Sequence, residues 1–488
     1  MSRWANVLIG GVAALTASVL VIDTIVSLGS GMYLNLGSGV WLALARDLHD
    51  GVFYRPLWNG SEYGGTRYFP MLFGLTAGLM RLGVNAVAAG VTVSMAGLVM
   101  LAAAVTMLLK RLAVPSAFVL LGSALSIAPY FVHQTAFAIR CEPIAAAFAI
   151  FGLAVLSPVE TRDHSTARLM LAAALFVGAF MTKVTCVYAP AAAIVALLAS
   201  GQSRSALKLA IATTCGALLG LGFVNLASNG RAIESFRACA LAGSSLVSLL
   251  SSTAVTRALQ LIATSHLLTT VFLLVGIALI ATPKSWLQLP ALYLLAAAAI
   301  TAVIFTSPGT ILTSQIVDAY VAAIIVLVVF VAGRHGRALE LGCLVLTALA
   351  VWTAGQNVAR ISTMIEQGSV RSGAQERGQL IAAVNGCGGP IVSESPLIPI
   401  LAGQRPLLLD PFAFHVVSLN RPEVGHDLVE RIRRREFPCV VFEQDPSTPK
   451  GQAWYSNVNL TRPVMKAVLE QYKLEQTIAG ERFYRAVH

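Results

Sequence analysis

The sequence predicts a polytopic α-helical membrane protein of about eleven spans, followed by a small C-terminal α/β domain outside the bilayer. Two compositional facts carry the first half of that expectation: 56% of the 488 residues are hydrophobic and only 12% are charged. Ordinary soluble domains carry about 25% charged residues. The distribution of charge carries the second half, because residues 356–488 hold 28 of the 57 charged side chains. The chain therefore divides into a membrane part, 1–355, and a water-soluble part, 356–488. The same figures exclude a disordered chain and a small disulfide-rich scaffold. The net charge of +11 lies largely in short loops of the membrane part, and no Lys/Arg run with interleaved aromatics accompanies it, so nucleic acid is not expected as a partner.

The apolar stretch from about 5 to 28 is too long for a signal-peptide core and reads as a retained first span. Further spans are expected at 84–109, 114–131, 143–158, 167–182, 185–200, 208–227, 264–282, 287–306, 314–333 and 338–355. With the N-terminus inside, each inside connection carries a basic residue near a span end: Arg3, Lys110 with Arg111, Arg162 with Arg168, Arg204 with Lys208, Lys284, and Arg334 with Arg337. With the N-terminus thus in the cytoplasm, eleven spans put the C-terminal domain outside, in the periplasm or lumen. The location expected is the inner (plasma) membrane. Long outside connections fall at about 29–83 and 228–263, with shorter ones near 132–142 and 307–313. These hold more arginine than the bias predicts, including Arg55, Arg67, Arg140 and Arg257, which reads either as headgroup pairing or as an outward cavity for phosphate.

Residues 38–50, SGVWLALARDLHD, place Val40, Leu44 and Leu48 on one helical stripe, with Arg46, Asp47, His49 and Asp50 largely off it. That pattern predicts an amphipathic helix lying on the membrane surface. A stretch rich in glycine and aromatics follows, then a second interfacial helix at about 70–83. Aromatic faces and glycine turns suit a carbohydrate.

On these residues the chain resembles the GT-C superfamily of integral membrane glycosyltransferases, nearest to the protein mannosyltransferase and lipid A aminoarabinose transferase branches. The resemblance rests on VWLALARDL after the first span, then GVFYRPL and GGTRYFPMLF, AIRCEPIAAAFAIFGLAVL, and MTKVTCVYAPAAAIVALL. It implies transfer of a sugar from a polyprenyl-phosphate donor to a lipid, glycan or protein acceptor at the outer face, usually with inversion. No cofactor beyond that donor and no metal is implied. It also implies an acidic pair just before the first surface helix, where this chain has Gly37 and Ser38. Either the base has moved, or the branch uses another constellation, or activity is lost. A transporter or flippase of a lipid-linked substrate and a non-catalytic scaffold are the rival classes; no internal repeat or pair of broken helices supports the transporter.

A general base has to reach the acceptor hydroxyl from the outer side. The candidates are Glu142, beside Arg140 at the mouth of the fourth span, and Asp47, Asp50 and Glu62 in the first outside loop. For each the alternative is a local ion pair or a solvated charge. Asp23, inside the first span, needs a partner and fits bonding within the bundle at least as well. Arg67, Arg140 and Lys183 are the candidates for phosphate, Asp318 for orienting the acceptor, and Tyr54 and Tyr68 for stacking on substrate. In the tail, GPIVSES, RPLLLD, PCVVFEQ and ERFYRAV read as strands and DLVERIRRREF as a helix, with no nucleotide-binding loop. Cys387 and Cys439 are placed to pair if the tail meets an oxidising compartment.

Overall fold

A computed structural model describes residues 3–31, 33–159, 164–240, 265–305 and 313–487, and singly 256, 260 and 263. Arg162 and Arg257, used above to orient the chain and its loops, lie outside the described residues. The chain opens with α1 (Arg3–Ser30), α2 (Leu36–His49), α3 (Pro70–Arg81) and α4 (Ala86–Arg111). Then come α5 (Ser116–Ile127), α6 (Tyr130–Phe137), α7 (Glu142–Leu156), α8 (Thr166–Thr182), α9 (Tyr188–Ala199), α10 (Ser203–Ala227) and α11 (Arg231–Ala240). The bundle closes with α12 (His266–Ile280), α13 (Leu289–Ile304), α14 (Val317–Ala332) and α15 (Gly336–Glu366). Its apolar core runs through α4, α5, α7, α8, α9 and α14.

Every stretch read as a span is helical, but the helices differ in reach. Five are long and apolar enough to cross a membrane by length and composition, and α5 with α6, bent by 64° at Ala128–Pro129, makes a sixth if counted as one. The others run 10–17 residues; at 1.5 Å per residue a 15-residue helix covers only about 22 Å of the ~30 Å hydrocarbon core. Two boundaries differ from the sequence expectation. The last bundle helix continues unbroken to Glu366, past the division at 355, because nothing between Gly355 and Glu366 stops a helix. RPLLLD forms no strand: Asp410 caps the next helix and Leu408 makes one isolated bridge to Tyr63.

The reading of 38–50 as a surface helix also needs correction. In α2, Gly37 to Ala45 and Asp47 are all buried. The helix starts at an Asn35–Ser38 capping box and packs between α3 and α4 on one side and the tail helix Leu397–Leu401 on the other. A Cβ on Gly39 would stand 2.3 Å from the Leu397 backbone nitrogen, so glycine is what admits this contact. Of the polar residues, Asp47 is buried against protein, Arg46 is partly exposed, and His49 and Asp50 at the helix end stay exposed.

After α16 (Ser369–Gly386) the tail builds a four-stranded sheet ordered β1-β2-β4-β3, from β1 (Ile391–Ser393), β2 (Cys439–Phe442), β3 (Tyr472–Ile478) and β4 (Glu481–Ala486). β1 and β2 are parallel; the other pairs are antiparallel. β3 is a polar edge strand with little apolar alternation, which is why the sequence did not reveal it. A disulfide joins Cys387, just after α16, to Cys439 on β2.

Three carboxylates meet at one end of this sheet. Glu394 is fully buried and accepts hydrogen bonds from the Tyr455 hydroxyl (2.6 Å), Trp454 Nε1 (2.5 Å), Asn459 Nδ2 (3.0 Å) and the Glu443 amide (2.8 Å). Burial first, then the Glu394 charge, pushes Glu443 up to about 7; burial, with Glu443 and Glu394, pushes Glu481 up to about 8. Lys450 and Arg482 oppose these shifts. Because the folded protein holds these protons more tightly than the unfolded chain, their effect is fully favourable below the ordinary value of 4.5 and is lost as pH rises through about 7 to 8. Thermal unfolding of the full-length protein should therefore show stability falling across that window. Glu481→Gln should flatten the fall and raise Tm at pH 8.5 by about 3 °C; an unchanged profile would contradict the account.

Candidate active site

The end of α6 and the start of α7 are held by hydrogen bonds from three directions. Ser38 Oγ donates to the Ala138 carbonyl (2.7 Å), the Arg140 amide to Thr135 (3.1 Å), and Ser94 Oγ to the Arg140 carbonyl (3.4 Å). Ile139 takes a left-handed backbone (φ 49°), which turns the chain sharply between the helices.

That turn lays the Arg140 guanidinium on the first turn of α2. A Cβ at Gly37 would come within 2.5–2.6 Å of its atoms, so no larger residue fits there with Arg140 in place. A cation at a helix N-terminus is on the unfavourable end of the dipole. Its nearest acceptor is Asn35 Oδ1 at 3.3 Å, and among the described residues it forms no ion pair. Arg67 forms none either, and stacks over the Phe412 ring at 4.3 Å. Tyr68, packed on Trp41 with ring centroids 4.3 Å apart, lies within electrostatic reach of both arginines and of Asp410; burial pushes its phenol up. Asp410 is buried, caps Pro411–Asn420 through the Phe412 and Ala413 amides, and is pushed up by burial against the pull of Arg67. Two arginines and a helix N-terminus thus converge with no salt-bridged carboxylate, an arrangement suited to an anion.

Glu142 opens α7, is 7% exposed, and forms no ion pair among the described residues; Cys141 Sγ lies 3.9 Å from its Oε2. It lies within electrostatic reach of Lys183. Lys183, the C-cap of α8, donates to Asp318 Oδ2 at 3.1 Å in the first turn of α14. The structure thus brings Arg140, Glu142, Lys183 and Asp318 together and sets Arg67 and Tyr68 beside Arg140.

It does not bring the remaining candidates there as free groups. Asp47 is 1% exposed and clasped by Arg55 through two bonds (2.5 and 2.8 Å) and by Arg405 (3.0 Å). Glu62 pairs with Arg405 at 3.3 Å. Asp50 is a turn residue bound to Arg46 (3.1 Å) and His49 (2.7 Å). Tyr54 is a core residue whose hydroxyl donates to the Tyr68 carbonyl (2.9 Å). Asp23 bonds within the bundle, to His133 and Arg360. Sequence reading missed Asp410, hidden in an apparent strand, and Arg405 and Arg360, whose partners lie more than 300 residues away in the chain. It had no signal for Gly37 as the seat of Arg140.

No family model matches the chain, and no curated protein matches it in sequence. Solved structures do. ArnT from Cupriavidus metallidurans in the apo state aligns at TM-score 0.58 and 13% identity, over 97% of this chain and 98% of that one. The same protein bound to undecaprenyl phosphate aligns at 0.57 and 12%, with the same coverage. The oligosaccharyltransferase AglB from Archaeoglobus fulgidus, in complex with an inhibitory peptide and a dolichol-phosphate, aligns at 0.55 and 10%, over 97% of this chain and 74% of that one. Both are GT-C proteins, so the chain has the fold of the GT-C integral membrane glycosyltransferases. At these identities the likeness shows the fold, with the tail domain included in the aligned length.

Proposed function

We propose that this protein transfers a sugar from a polyprenyl-phosphate donor to a hydroxyl acceptor at the outer face of the inner membrane, with inversion at the anomeric carbon. The observation that carries the reading is that Arg67 and Arg140 form no ion pair among the described residues, and neither does the carboxylate beside them, Glu142. Glu142 takes the proton of the acceptor hydroxyl as its oxygen attacks the anomeric carbon. The bond from that carbon to the donor phosphate breaks, and prenyl phosphate leaves with its added charge held by Arg140 and Arg67. Asp318 neutralises Lys183 and gives it up to the phosphate when donor enters. An apolar groove of about 300 Å³, lined by Phe176, Phe180, Cys186, Pro190 and Leu218, draws residues from both sides of Lys183 in the sequence and suits a prenyl chain.

Eleven crossings, with the short helices accommodated by local thinning of the bilayer and by snorkelling of flanking side chains, would leave the N-terminus in the cytoplasm and the tail domain in the periplasm. The Cys387–Cys439 disulfide supports an oxidising compartment for that domain. The test is release of free prenyl phosphate from polyprenyl-phosphate sugars by purified full-length protein in lipid nanodiscs, given a membrane-lipid extract as acceptor. Gly37→Leu should evict Arg140 and weaken prenyl-phosphate binding by about tenfold or more. Absence of binding by the unaltered protein, or binding indifferent to Gly37→Leu and Arg140→Gln alike, would overturn the assignment.

A further inference from the structure

The bent pair α5–α6 is a built break rather than a flaw in one long helix. Carbonyls freed at the bend are met from other elements: Tyr320 Oη donates to the Leu125 carbonyl (3.0 Å) and Asn357 Nδ2 to that of Ala128 (2.9 Å). Beyond the bend, α6 carries His133, whose Nδ1 lies 2.7 Å from Asp23 Oδ2 on α1 and whose Nε2 lies 3.2 Å from Thr24 Oγ1. The Thr24 hydroxyl already donates to the Leu20 carbonyl (2.7 Å), so its oxygen is the acceptor for His133. Asp23 also takes Ser27 Oγ (3.1 Å) and an ion pair from Arg360, on the part of α15 that runs past residue 355. The Arg360 guanidinium bonds the Tyr33 hydroxyl and lies over the Tyr130 ring at 4.5 Å. One buried carboxylate therefore ties α1, α6 and α15 together.

An apolar contact would join three helices without the desolvation that buried ions cost. What the ionic lock adds is a fixed depth and rotation for α6, and α6 ends five residues before Glu142. We propose that the Asp23–His133–Arg360 triad is a positioning device that sets Arg140 and Glu142 through the half-helix α6. The inference rests on the roles assigned above to those two residues. It makes His133 and Arg360 positioning residues, remote from the reacting atoms.

Cys141, between the two residues being positioned, is 6% exposed and gives a readout independent of activity; Cys186, 0% exposed in the same region, is the control. Full-length protein in nanodiscs, carrying Cys215→Ser and Cys343→Ser, would be treated with a maleimide and each cysteine read by peptide mass spectrometry. His133→Ala should speed labelling of Cys141 about tenfold, leave Cys186 unlabelled, and weaken prenyl-phosphate binding by a similar factor, with His133→Gln in between. Unchanged Cys141 labelling together with unchanged binding would overturn the proposal. Should both cysteines react in His133→Ala, the bundle has loosened as a whole and Arg360→Lys decides: faster labelling of Cys141 alone supports positioning, and no response overturns it. Should the unaltered protein bind no prenyl phosphate, the donor assignment fails, and the Cys141 labelling still judges the mechanical link.

Discussion

Glu142→Gln is expected to lower sugar transfer by about a thousandfold while prenyl-phosphate binding changes by less than about threefold. The substitution keeps shape and hydrogen-bonding capacity and removes the ability to accept a proton. The expectation follows by comparison with the other acids near the bundle–tail junction. Asp47 and Glu62 are spent on Arg55 and Arg405, Asp50 on Arg46 and His49, and Asp318 on Lys183. Glu142 alone of the candidate acids forms no ion pair among the described residues, beside two arginines in the same state. Single-turnover rates with donor prebound, beside an equilibrium binding measurement, separate the two quantities. If Glu142→Gln keeps more than about a tenth of the rate, the base is another group. Asp410 is then next, buried and pushed up beside Arg67, although it is also a helix cap.

The parts of the fold legible in the sequence were those with a strong one-dimensional signal. Apolar runs located the bundle helices, and short apolar runs between helix-like and turn-like stretches found β1, β2 and β4. Motif position put Glu142, Arg140, Lys183 and Asp318 forward as candidates, and the structure brings these four together. What the sequence hid was pairing over distance. Asp47 looked free on an amphipathic face, although Arg55 lies only eight residues along the chain, and its other partner, Arg405, meets it only after the tail folds back. Gly37 looked like a lost acidic residue, yet its missing side chain is what gives Arg140 a place. The Arg405 contact and the seat of Arg140 on Gly37 have no local signature, since they join segments several hundred and about a hundred residues apart.

Asp47→Ala is expected to act on stability rather than on chemistry, and strongly. Arg55 is 1% exposed, donates two bonds to Asp47 and one to the Pro406 carbonyl (2.7 Å), and its next carboxylate among the described residues is Glu62 at 3.9 Å. Removing Asp47 leaves that buried guanidinium uncompensated, a change that costs about 3–5 kcal/mol in such pairs. Asp47 is also where Arg405 of the tail meets α2, so the loss falls on the junction between tail and bundle. A drop in Tm of about 10 °C, with early proteolysis at that junction, is the expected result. The paired substitution Asp47→Leu with Arg55→Met should recover much of it, because an apolar pair of similar volume avoids the unpaired charge. At a temperature where Asp47→Ala remains folded, its transfer rate should lie within about threefold of the unaltered protein. A protein of unchanged Tm that has lost transfer would instead put Asp47 in the reaction and displace Glu142.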